Sequence, residues 1–78
     1  MFYIYILECS DNTLYTGYTN DIDRRVEVHN NKLGAKYTRG RTPVKLVYSE
    51  KFETRSEALK REYQIKQLRR KEKLMLVK

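Results

Sequence analysis

Phe2-Tyr3-Ile4-Tyr5-Ile6-Leu7 and Leu14-Tyr15-Thr16-Gly17-Tyr18 are the two segments whose reading decides the fold. The first is almost wholly β-branched, aromatic or aliphatic, which predicts a strand covered on both faces and therefore central in its sheet. Strand alternation sends Phe2, Ile4 and Ile6 to one face and Tyr3, Tyr5 and Leu7 to the other. Between the segments, Cys9-Ser10-Asp11-Asn12-Thr13 carries turn chemistry, with Asp11 and Asn12 able to tolerate positive φ. The second segment is thus expected to return antiparallel to the first, as a hairpin.

After the hairpin, Asn20 stands where a helix cap is wanted and Asp23 follows three residues on as an imperfect capping box. The spacing predicts a helix over 21–32, ended by Gly34, whose sheet-facing stripe is Ile22, Val26 and Leu33. Arg25 and His29 lie one turn apart on the edge of that stripe, looking toward the tyrosines. Residues 34–45 read as a loop that carries Lys36, Arg39, Arg41 and Lys45 without an intervening acid, a surface suited to phosphates or simply a solvated basic loop. Residues 46–52 alternate as a third strand. Thr54 and Glu57 form a capping box that opens a second helix, read from about Arg55 through Leu68. On its wheel Ala58, Leu59, Tyr63 and Ile65 span an arc that contains Glu62. A carboxylate there needs a partner, since burying it unpaired costs several kcal/mol. A metal ion, a cation or hydrogen-bond donors fill that need, and Lys66 offers the plain answer of an intrahelical ion pair. Residues 69–78 either continue this helix or form a short third one, with Leu74, Met75, Leu76 and Val77 closing the core.

The expected architecture is α+β, a small three-stranded antiparallel sheet flanked by helices, in one domain covering residues 1–78. No apolar run approaches the roughly 18 residues needed to span a bilayer, and no export signal is visible, so a soluble, cytoplasmic protein is expected. The lone Cys9 has no disulfide partner and no zinc motif, and reads as a small strand-end side chain. Seventeen Lys and Arg against ten Asp and Glu give a net charge of +7, a field that attracts polyanions.

The order of these features resembles the GIY-YIG nuclease domain. Tyr3-Ile4-Tyr5 and Tyr15-Thr16-Gly17 stand at its two tripeptides, with Tyr3 and Thr16 as departures and Tyr5 and Tyr15 kept. Arg25 comes eight residues after Gly17, as the family's helix arginine does, and His29 occupies its His or Tyr position. Ala58-Leu59 followed by Glu62 resembles the metal-binding helix. The loop over 34–40 and the segment over 55–59 look like the small single-domain YhbQ/YazA-type bacterial members. Many nucleases of the family place an asparagine after the metal helix, whereas none occurs here beyond Asn31.

The resemblance implies a metal-dependent endonuclease of low sequence specificity acting on DNA, with a place in DNA repair or recombination. Glu62 would anchor one Mg²⁺ or Mn²⁺, hard ions that favour oxygen ligands. Arg25 would contact the scissile phosphate with its planar fork. Tyr5 or Tyr15 would position or deprotonate the water, helped by nearby cations because a free phenol has a pKa near about 10. His29 would share the proton transfer or hold a phosphate. Nucleic-acid contacts would come from Arg24, Lys36, Arg39, Arg41 and Lys45. Branched, damaged or single-stranded DNA recognised by shape fits as well as any sequence, and RNA stays open. Each residue also has a structural reading: strand tyrosines pack in cores, Arg25 pairs with Asp21, and a lone His29 is structural. A non-catalytic nucleic-acid-binding module with the same fold is the competing class, and an adaptor whose tail helix docks on a protein is a third.

Overall fold

A computed structural model describes residues 1–77 as three strands and four helices: β1 (Phe2–Glu8), β2 (Leu14–Thr19), α1 (Ile22–Asn30), α2 (Lys36–Arg39), β3 (Lys45–Phe52), α3 (Arg55–Lys66) and α4 (Arg70–Val77). The sheet order is β2-β1-β3 with both pairs antiparallel, so β1 is central as its composition requires. The alternation expected for β1 holds. Ile4 and Ile6 pack with Ala58 and Ile65 of α3, and Phe2 joins them. Tyr5 and Leu7 form a second cluster with Cys9 and Val44, against which Tyr15 and Val26 rest.

The hairpin closes through bonds from the Cys9 amide to the Thr13 carbonyl and from the Asn12 amide to the Cys9 carbonyl, with Asn12 at a φ of 67°. Its register sets Gly17 opposite Tyr5 and Thr16 opposite Ile6. The Thr16 hydroxyl is buried without a hydrogen-bond partner among the described residues. On the other side of β1 the register slips between Ile6 and Leu7, a local bulge that steps over Val47.

Both helix caps near the sheet follow short-range chemistry. Asp21, not Asn20, caps α1 by accepting from the Arg24 amide, so α1 is shorter than the span 21–32. It ends in a Schellman motif: the Leu33 amide donates to the Val28 carbonyl, the Lys32 amide to the His29 carbonyl, and Lys32 takes the left-handed conformation at φ 63°. The helix therefore stops before Gly34, and Leu33 leaves the predicted stripe and is 73% exposed. The segment expected as a loop over 34–45 contains the helical turn α2. Val44 at its end is held by Asn30, whose amide side chain accepts from the Val44 amide at 2.7 Å and donates to its carbonyl at 3.1 Å.

Thr54 and Glu57 form the predicted capping box at the start of α3. The buried face of α3 is rotated from the predicted arc: Ala58 and Ile65 are buried, while Leu59 is exposed and Tyr63 is 68% exposed. Core contact is made at i and i+7, with Glu62 half-buried between them. Arg61 ties the helix to β3 through a forked pair with Glu50, Nε to Oε1 at 2.9 Å and Nη2 to Oε2 at 3.0 Å. Burial of the Glu50 carboxyl opposes its ionisation, yet Arg61 and a short hydrogen bond from Tyr48 outweigh it, so Glu50 sits below the usual carboxylate range. The tail forms a separate helix whose Leu76 and Val77 pack on the core, while Leu74 and Met75 stay exposed. The predicted tail extends to Lys78, which lies outside the described residues.

Candidate active site

Tyr5 projects from the centre of β1 toward α1, where it meets Arg25 and His29. The Arg25 Nε donates to the Tyr5 hydroxyl at 3.4 Å, and the same hydroxyl lies 3.0 Å from His29 Nε2. His29 is wholly buried, and its other ring nitrogen lies 2.7 Å from the Thr38 hydroxyl of α2. Arg25 to His29 is one helical turn, so one face of α1 brings both to one tyrosine. Arg25 therefore engages Tyr5, not Asp21.

Two glycines make this approach possible through space alone, since neither takes positive φ. A Cβ on Gly17 would sit 2.4 Å from the Tyr5 hydroxyl oxygen, and one on Gly34 would sit 2.4 Å from His29 Nδ1. Gly34, expected as a helix stop, instead closes over the imidazole.

Tyr15 joins the group through its ring, edge-on to His29 with centroids 5.3 Å apart and 6.4 Å from Tyr5. Unlike the nearly sealed Tyr5, Tyr15 is half-buried. Beyond it lies Tyr37 at 5.7 Å, and the Arg41 guanidinium rests 4.2 Å above the Tyr37 ring.

Glu62 arrives differently. It makes no hydrogen bond to the cluster and instead pairs with Lys66 at 3.1 Å, the intrahelical alternative, with 18% of its side chain exposed. Its negative charge is nevertheless felt at Tyr5. Burial pushes the Tyr5 phenol above its ordinary range, the Arg25 hydrogen bond pulls the other way without overcoming it, and neighbouring Tyr15 and Glu62 add to the rise. The expected help from nearby cations thus fails at Tyr5, because desolvation wins. Burial also holds His29 below its ordinary value, and the Arg25 charge adds to that.

The basic residues divide into two groups. Arg41 pairs with Asp11 at 3.1 Å and Lys45 with Glu8 at 3.6 Å. Arg24, Lys36 and Arg39 have no salt bridge among the described residues and are exposed. No cluster of three or more His, Cys, Asp or Glu suited to a metal occurs among the described residues. No helix among them is long and apolar enough to cross a membrane. Thr38 is the buried member of the site that sequence reading missed. Its only signal was a hydroxyl nine residues beyond His29, in a stretch read as loop.

Residues 1–75 match the GIY-YIG catalytic domain, and the chain belongs to that family. Membership points to nuclease chemistry on a nucleic-acid substrate, in a family that generally uses divalent metal ions. Within it, the chain is 60% identical over 77 residues to a UPF0213 protein of Clostridium perfringens, covering 99% of this chain and 83% of that one. It is also 60% identical over 75 residues to a UPF0213 protein of Staphylococcus saprophyticus, covering 96% and 92%. The solution structure of a UPF0213 protein from Bacillus halodurans is similar at 51% identity and a TM-score of 0.64, covering 99% of this chain and 83% of that one.

Proposed function

We propose that this chain is a metal-dependent endonuclease that hydrolyses DNA phosphodiesters with low intrinsic sequence selectivity. The observation that carries the reading is the convergence of Arg25, His29 and Tyr15 on Tyr5, with the Glu62 charge within reach. Arg25 spends its Nε on Tyr5 and keeps its two terminal nitrogens for phosphate oxygens. Tyr5 is sealed from solvent and serves to hold Arg25. Tyr15, which reaches the surface, is then the phenol placed to orient the attacking water.

The donor set fits one Mg²⁺ or Mn²⁺ held thinly. A single half-buried carboxylate, Glu62, would supply the protein oxygen, in keeping with a hard ion that retains most of its waters. Bound there, such an ion would supply Lewis-acid stabilisation of the departing 3′ oxygen. Lys66 neutralises Glu62 in its absence and competes with it. Exposed Arg24, Lys36 and Arg39 offer sequence-independent phosphate contacts. Arg41 and Lys45 contribute less, because each already has an acid partner. Substrates distinguished by shape, such as branched or single-stranded DNA, suit such a surface and are those of repair or recombination.

Cleavage of plasmid and branched DNA is expected to need Mg²⁺ or Mn²⁺ and to fall at least about 100-fold in Arg25→Ala and Glu62→Ala, with binding retained in Glu62→Ala. The Glu62–Lys66 pair also favours a second reading, a binding module without catalysis. Binding without metal-dependent cleavage by the wild type decides for that module.

A further inference from the structure

The direction of every hydrogen bond in the buried cluster follows from counting protons. Thr38 has one hydroxyl proton and two possible uses for it: the Ala35 carbonyl at 3.0 Å and His29 Nδ1 at 2.7 Å. The Ala35 carbonyl also receives the Thr38 amide, so local geometry at Thr38 leaves both polarities open. The far end settles it. The Tyr5 hydroxyl is buried, and Arg25 Nε beside it has only a proton to give. If His29 Nε2 also carried a proton, the phenol oxygen would face two donors and its own proton would have no acceptor in a sealed site. Leaving a buried donor unpaired is costly, so Nε2 is bare and accepts from Tyr5. In neutral imidazole Nδ1 then bears the proton and donates to Thr38, whose hydroxyl turns to Ala35. The run reads Arg25 to Tyr5 to His29 to Thr38 to the Ala35 carbonyl, each donating to the next.

We infer that Thr38 is a positioning residue: by accepting from Nδ1 it pairs the proton that the Tyr5 end places there, and without it either tautomer leaves a buried donor unpaired, so the Tyr5 hydroxyl no longer keeps its lone pair on Arg25 Nε. Burial and the neighbouring Arg25 both favour the neutral imidazole that this requires. The packing enforces it further. Gly34 closes over Nδ1 and Gly17 over the phenol oxygen, so neither ring has room to turn away. Thr38 is wholly buried and reaches no solvent, so it touches no substrate and acts only through His29. Its effect on rate rests on the nuclease reading, whereas the tautomer does not.

His29 is the one histidine in the chain, so its two ring nitrogens are assigned without ambiguity in a ¹⁵N spectrum of the whole 78-residue chain, free of metal and nucleic acid. The expected spectrum has a protonated Nδ1 and a bare Nε2, retained in Thr38→Ser and lost in Thr38→Val, together with the slowed exchange of the Arg25 Nε proton. In the cleavage assay Thr38→Val is expected to lower kcat roughly 10- to 100-fold, as loss of a partner orienting a functional histidine does, with Thr38→Ser restoring it. A wild-type spectrum with protonated Nε2, or a Thr38→Val spectrum identical to wild type, overturns the inference. Should Thr38→Val not fold, the wild-type and Thr38→Ser spectra decide it. The expected tautomer in a protein that does not cleave removes the nuclease reading alone, and the opposite tautomer in an active enzyme removes this inference alone.

Discussion

At the scale of the residue, His29 ties stability to pH. Its folded-state pKa lies below the ordinary value because burial, and then the Arg25 charge, disfavour the imidazolium. Between the two values the unfolded chain binds a proton that the native state refuses, so stability rises with pH there. The contribution is complete above the unfolded value of about 6.5 and is lost as pH falls through the lowered native one. Thermal melts at pH values from about 8 down to about 5 are expected to show a falling Tm that flattens in His29→Gln. Parallel curves for the two proteins would place the acid sensitivity elsewhere. This burial was not legible beforehand. Spacing set His29 at the stripe's edge, but complete enclosure depends on the backbone of Gly34 and on Thr38, which arrive through a turn that breaks the helical periodicity. Tyr5 was easier to read, because strand alternation alone aims it at α1.

At the scale of the element, local chemistry explains both what was readable and what was not. The strands, the Asp11-Asn12 turn and the Thr54 capping box each depend on a few adjacent side chains, so their sequence is enough. The end of α1 is different, since Lys32 adopts the left-handed conformation usually given to glycine. That conformation costs a residue with a Cβ roughly 1–2 kcal/mol, partly offset by glycine's larger entropy when unfolded. Lys32→Gly is therefore expected to stabilise the protein by about 1 kcal/mol, read as a shift of the urea midpoint at unchanged m-value. A destabilised variant would mean that the lysine stem contributes packing that outweighs its backbone strain. The rotation of α3 was hidden for a related reason. A helix this polar has little apolar periodicity, and its phase is set by Arg61 reaching Glu50 across to β3.

At the scale of the molecule, charge is distributed unevenly between free and internally paired cations. Sequence alone gave Lys36, Arg39, Arg41 and Lys45 equal standing, because their acid partners Asp11 and Glu8 come from the distant hairpin. The fold ranks them. DNA affinity is expected to fall linearly with salt on logarithmic axes, with the slope reduced by about one for each of Lys36→Ala and Arg39→Ala. Lys45→Ala is expected to change it less. Titrations at several salt concentrations measure this, and equal slopes for all three variants would show that the Glu8 pair opens on binding.

The hydrogen-bonded run from Arg25 to Ala35 closes entirely within residues 5–38, whereas Glu62 stands on α3 and makes no hydrogen bond to it. The two parts are therefore separable under mutation and selection. On the nuclease reading proposed above, a lineage that loses the carboxylate is expected to keep its fold and its arginine in place, and to pass in one step from cutting a polyanion to gripping it. A lineage that loses Thr38 or Gly34 has no such soft landing, because the buried imidazole is then left without its partner or its space.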